Sequence, residues 1–131
     1  MNDTELLLAS ALLTYASLML ASVLRTRSWT LAGQKLAFGN RDDLPEPSPL
    51  AGRADRAAKN NLENLVLFTA AWAAARLGGA APAPIELGAQ LFFWSRCAYT
   101  AVYLLGVPYL RTALFSVGVI GTFIVGVAAL R

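Results

Sequence analysis

The sequence predicts an all-α integral membrane protein, a bundle of four transmembrane helices, on three observations. The 131-residue chain is 56% hydrophobic and only 15% charged, with a mean hydropathy of +0.51. A soluble domain carries about a quarter charged residues, so this chain has more apolar surface than a core of its size can hide. Its apolar residues fall into four long stretches. Its basic residues are gathered mainly into one connection beside a span.

About 20 apolar residues in a helix cross the roughly 30 Å hydrocarbon layer. The expected spans are 5–24, 62–77 (its helix starting near residue 53), 85–107 and 109–130. A helix satisfies its backbone hydrogen bonds internally, as lipid demands. The first stretch is expected to remain as a span rather than be cleaved as a leader. It opens with Asp3 and Glu5 instead of a basic run, and it is too long for a signal-peptide core.

Residues 25–59 form the long polar connection and hold Arg25, Arg27, Lys35, Arg41, Arg53, Arg56 and Lys59, seven of the eleven basic residues. Gly39-Asn40-Arg41-Asp42 reads as a break, and Pro45, Pro47 and Pro49 predict an extended stretch. The connection at 78–84 is short, and Gly106 with Pro108 predicts a tight turn. The positive-inside rule then puts the basic loop and Arg111 on the cytoplasmic side and both termini opposite. This topology accounts for the net charge of +3 and leaves no reason to invoke nucleic acid. Gly118, Thr122 and Gly126 at four-residue spacing, and Ala70, Ala71, Ala73, Ala74 and Ala75, suit close helix packing.

There is no histidine and one cysteine, Cys97, so neither an internal disulfide nor a Cys/His metal site can form. Cys97, within an apolar helix, reads as a small packing residue. The chemistry must come from charges. Arg53, Arg56, Asn60 and Glu63 share one helical face by their spacing, as do Arg96, Tyr99 and Tyr103. Arg96 lies about 16 Å deep at 1.5 Å per residue, near the bilayer centre. A charge there costs at least about 2.5–3.5 kcal/mol and needs a partner. Glu63, about 21 Å from the same surface, is the expected one, in a buried pair that at minimum fixes helix register. Around this pair, Arg25, Arg56, Lys59, Asn60, Tyr103 and Arg111 approach one leaflet from all four spans, which suits a cavity for a water-soluble ligand bearing carboxylates.

Two segments carry a family resemblance. Arg53-Ala54-Asp55-Arg56-Ala57-Ala58-Lys59-Asn60-Asn61-Leu62-Glu63-Asn64 resembles the second-helix signature of the MAPEG family, the membrane-associated proteins of eicosanoid and glutathione metabolism. Arg96-Cys97-Ala98-Tyr99-Thr100-Ala101-Val102-Tyr103 resembles the third-helix signature. Length, four spans and the long first loop agree, so the resemblance covers nearly the whole chain. It implies a homotrimer with glutathione bound between neighbouring subunits, as co-substrate and without a metal. It implies that Arg25, Arg56, Lys59, Asn60, Glu63, Tyr99 and Tyr103 contact or shape the glutathione site, with Arg96 as the buried partner of Glu63. It further implies a thiolate-stabilising arginine early in the fourth helix, for which Arg111 is the candidate, and Tyr99 or Thr112 is expected to donate a hydrogen bond to the thiolate.

The function expected is that of a membrane-bound glutathione-dependent transferase or peroxidase acting on lipophilic electrophiles or lipid hydroperoxides. The alternative is a non-catalytic membrane scaffold or assembly partner that keeps the same fold. A proton-coupled exporter is disfavoured, because the first span has acids only at its outer end. The compact, alanine-rich chain suits a bacterial inner membrane.

Overall fold

Prolines and small polar residues punctuate the chain into five helices. A computed structural model describes residues 1–131, with α1 at Asp3–Thr26, α2 at Leu31–Phe38, α3 at Pro49–Leu77, α4 at Pro82–Leu105 and α5 at Pro108–Ala129. Asn2 caps α1 through a capping box with Glu5, each side chain bonding the other's backbone N–H. Pro49, Pro82 and Pro108 each open a helix, where the missing N–H is no loss. Gly106, with φ of 80°, closes α4 in the left-handed conformation, and the tight turn before α5 follows.

Two expectations need correction here. Pro49 does not extend the irregular stretch. Ser48 caps it, accepting from the N–H of Ala51, and α3 starts four residues before the position expected from hydropathy. The connection after α1 also contains a helix of its own. Arg27 (φ 55°) turns the chain, Thr30 accepts from the N–H of Gly33, and α2 follows. There is no room for a side chain at Gly33, whose Cβ would lie 2.0 Å from the carbonyl oxygen of Arg27. The end of α1 and the start of α2 are therefore held together.

α1, α3, α4 and α5 pack side by side. Their shared core is Leu6, Phe68, Ala75, Ile85, Ala89, Phe92 and Val125, with Phe68 and Phe92 stacked at 4.2 Å. α4 and α5 touch backbone to backbone where Gly88 faces Gly121, a Cβ on either falling 2.6 Å from the other's carbonyl oxygen. Gly118 also faces α4, whereas Gly126 faces open space. On α1 the outward face is more apolar than the inward one. Leu8, Leu12, Tyr15 and Met19 on α1 are exposed, while Ser10, Thr14 and Ser17 are buried. Those hydroxyls donate to backbone carbonyls four residues back, at 2.8–2.9 Å, so they pack without orphan donors. α1 and α5 are each long and apolar enough to cross a membrane.

Candidate functional site

The C-terminal ends of α1 and α4 meet the N-terminal parts of α3 and α5 at one end of the molecule, and most of the expected site residues gather there. Arg53 Nε donates to the Leu104 carbonyl at 3.0 Å, which ties α3 to the last turn of α4. One turn further along α3, Arg56 Nε donates to the Tyr103 hydroxyl at 3.3 Å. The Arg111 guanidinium, from the first turn of α5, lies 5.0 Å from the centre of the Tyr103 ring. Tyr99 meets Tyr103 edge-on at 5.4 Å. Tyr99, Tyr103, Arg111, Thr112 and Phe115 line a cavity of about 210 Å³.

The remaining cations border a different space. A cavity of about 510 Å³ lies between α1, the loop preceding α3 and α3 itself, and Arg25, Arg41, Arg56 and Lys59 line it together with Ser22 and Asp55. Lys59 Nζ is 2.9 Å from Asp55 Oδ2, and Arg25 donates to the Pro45 carbonyl. Arg56 joins the two regions, since it borders this cavity while bonding a residue that lines the other. The expected set is not gathered into one cavity: Arg25, Arg56 and Lys59 line one, Tyr99, Tyr103 and Arg111 the other, and Asn60 and Glu63 line neither. Arg41, from the loop, belongs to the more polar cavity and escaped sequence reasoning, because nothing in its local pattern shows where the loop folds back.

Arg96 is only 2% exposed, and it does not pair with Glu63. Its Nη1 donates to Asn60 Oδ1 at 2.8 Å and its Nη2 to the Phe115 carbonyl at 3.4 Å. The guanidinium also lies 4.9 Å from the Tyr99 ring centre, 5.2 Å from that of Phe115 and 5.7 Å from that of Phe92. Glu63 is exposed on the outer face of α3 and makes no ion pair. The physical reason is that Asn60 and Glu63 share a helical face one turn apart, so depth alone could not choose between them, and Asn60 is the one turned inward. The aromatic faces and a neutral amide stand where a carboxylate was expected. Gly118 supplies the space, since a Cβ there would lie 2.9 Å from Arg96 Nη2 and 2.8 Å from Ser95 Oγ.

Two further polar groupings were not foreseen. Asn61, buried and turned away from Asn60, donates through Nδ2 to Thr100 Oγ1 at 2.8 Å and to Ser17 Oγ at 3.3 Å, joining α1, α3 and α4. At the opposite end, the Asp3 carboxylate is fully enclosed and accepts from Trp72 Nε1 at 2.7 Å and from Arg76 Nε at 2.8 Å, with Arg76 Nη2 also bonded to it. The four-residue spacing of Trp72 and Arg76 was the available signal, but nothing local points to a partner 69 residues away.

A family model described as the MAPEG family matches residues 6–131, nearly the whole chain. No curated protein matches the chain significantly.

Proposed function

This chain belongs to the MAPEG family, and from that membership we propose that it is a membrane-bound, glutathione-dependent transferase or peroxidase acting on lipophilic electrophiles or lipid hydroperoxides. The observation that carries the reading is the Arg111 guanidinium held over Tyr103, with Tyr99 and Thr112 beside it in one cavity. A free thiol has a pKa of about 8.5, so little of it is thiolate at neutral pH. A fixed cation favours the charged form, and arginine keeps its proton. Arg111 faces the sulfur, and Tyr99 or Thr112 donates a hydrogen bond to it. The thiol proton leaves to water, and the thiolate forms a carbon–sulfur bond with the electrophile, either displacing a leaving group that departs with the bonding pair or opening a double bond whose electron pair is then protonated by water. With a hydroperoxide it attacks the terminal oxygen instead: a sulfur–oxygen bond forms, the O–O bond breaks, the alkoxide takes a proton from water to leave as an alcohol, and a second glutathione thiol converts the sulfenic acid to glutathione disulfide and water.

The tripeptide's carboxylates are assigned to Arg25, Arg56 and Lys59. The division into two cavities supports a site completed by a neighbouring copy. The thiol-side cavity, about 210 Å³, is below the roughly 300 Å³ at which ligand pockets begin, so it is too small for the whole tripeptide. The exposed α3 face that carries Glu63, Leu67, Ala70 and Ala74 suits burial against another subunit in a homotrimer.

One observation favours the non-catalytic scaffold as a second reading. Asn60 and Lys59, both assigned to ligand, are engaged within the chain, by Arg96 and Asp55. Ultraviolet thiolate absorbance of the detergent-purified protein with glutathione at neutral pH separates the two readings. A stoichiometric signal that disappears in Arg111→Ala is the result expected of the enzyme. A folded protein without that signal would leave only the scaffold.

A further inference from the structure

α2 has a near side and a far side, and only the near side is accounted for by the rest of the molecule. Gly33 is pressed against the end of α1. On the far side, Leu31, Lys35 and Phe38 fall within one arc of the helix by their four- and three-residue spacing. Leu31 is 80% exposed and Phe38 92% exposed, with Trp29 just ahead of the helix 63% exposed. Three large apolar side chains turned fully outward would be unfavourable in water.

The position of α2 says what covers them. α1 is 24 residues, about 36 Å at 1.5 Å per residue, longer than the roughly 30 Å hydrocarbon layer. Its end therefore reaches the headgroup layer, and α2 starts only five residues later. Tryptophan favours that layer. The charge there has one sign. Residues 25–41 contain Arg25, Arg27, Lys35 and Arg41 and no carboxylate, and neither Arg27 nor Lys35 makes an ion pair. Asp42, Asp43 and Glu46 come only after the left-handed turn at Arg41.

We infer that α2 is an interfacial helix that lies in the headgroup layer and selects anionic phospholipids, with Trp29, Leu31 and Phe38 among the upper acyl carbons and Arg27 and Lys35 on the lipid phosphates. The surface is separate from both cavities, so it does not depend on the enzymatic reading. Each basic side chain near an anionic surface favours anionic over neutral lipid by roughly fivefold.

The test places the full-length protein in phosphatidylcholine nanodiscs containing a minor fraction of lipid brominated near the headgroup end of its acyl chains, as phosphatidylglycerol or as phosphatidylcholine. The difference in emission between wild type and Trp29→Phe isolates Trp29. Quenching of Trp29 by both lipids, several-fold stronger with phosphatidylglycerol, is the expected result. Lys35→Gln, an exposed substitution with no packing consequence, is expected to lower that preference roughly fivefold. No quenching by either lipid would overturn the interfacial placement. Equal quenching by the two lipids, or a preference unchanged in both Lys35→Gln and Arg27→Gln, would overturn the selection of anionic lipid.

Discussion

The two ends of the helices handle charge in opposite ways. At the end where α1 begins, a single carboxylate, Asp3, is enclosed by donors from Trp72 and Arg76, and opposite charges meet directly. At the end where α1 finishes, Arg25, Arg53, Arg56 and Arg111 make no ion pair, and they rest on carbonyls, a phenol and an aromatic ring. The first arrangement is complete within the chain and serves to join α1 to α3. The second leaves Arg25, Arg56 and Arg111 bordering cavities, which suits an anionic ligand. The same residue type therefore reads as structural at one end and as binding at the other, and the difference lies in what the guanidinium already holds.

Substitutions can test that division. The largest effect is expected for Arg76→Ala, which strands a buried carboxylate. Removing the cation leaves the enclosed carboxylate without its charge partner, so a clear fall in stability is expected, moderated by the exposure of Arg76 to solvent. Thermal unfolding in detergent reads it, and Asp3→Asn in the same background is expected to restore part of the loss. Arg111→Ala is expected to lower glutathione-dependent turnover about a hundredfold while leaving the unfolding temperature nearly unchanged, by analogy with removal of one donor to a developing oxyanion. If the melting temperature fell instead, Arg111 would belong with Arg76 as a structural cation.

Gly118→Ala comes next. Its Cβ would displace Arg96 and Ser95, and overpacking of this kind costs about 1–3 kcal/mol. Arg96 also lies over Tyr99, so a loss of thiolate signal beyond the loss of folded protein would tie the mid-span arginine to the binding end. Tyr103→Phe is the mildest, removing one long, exposed hydrogen bond from Arg56 that contributes little to folding. A small rise in the glutathione concentration needed for half-saturation is expected, with no change in unfolding.

The long helices were legible because their apolar runs are long and continuous. The apolar runs and the turn at Gly106 and Pro108 were read as such, whereas Pro49, expected within an extended stretch, in fact opens α3, as Pro82 opens α4. α2 was not legible, since eight residues with a glycine and a lysine give no clear period within a polar segment. That Arg56, Tyr103 and Arg111 come to one end of the bundle could be read from helix spacing. What spacing does not carry is rotation. Asn60 and Glu63 sit on one face, and a small turn of α3 decides which of them meets Arg96. Rotation also sends Arg25 and Lys59 to one cavity and Tyr103 and Arg111 to another.

The hydroxyls along α1 bear on how the molecule is assembled. Ser10, Thr14, Ser17 and Thr26 each donate to the carbonyl four residues back in the same helix. As α1 is synthesised it carries this polar stripe into the bilayer with every hydroxyl donor already occupied, and it can stand in lipid before any neighbour exists. α3 and α4 lack that independence. Asn61 finds its donors' partners only on α1 and α4, and Arg96 depends on Asn60 and on the carbonyl of Phe115 in α5. α1 can thus enter by itself, as can α5, whose Ser116 and Thr122 also donate within their own helix, whereas α3 and α4 complete one another on arrival.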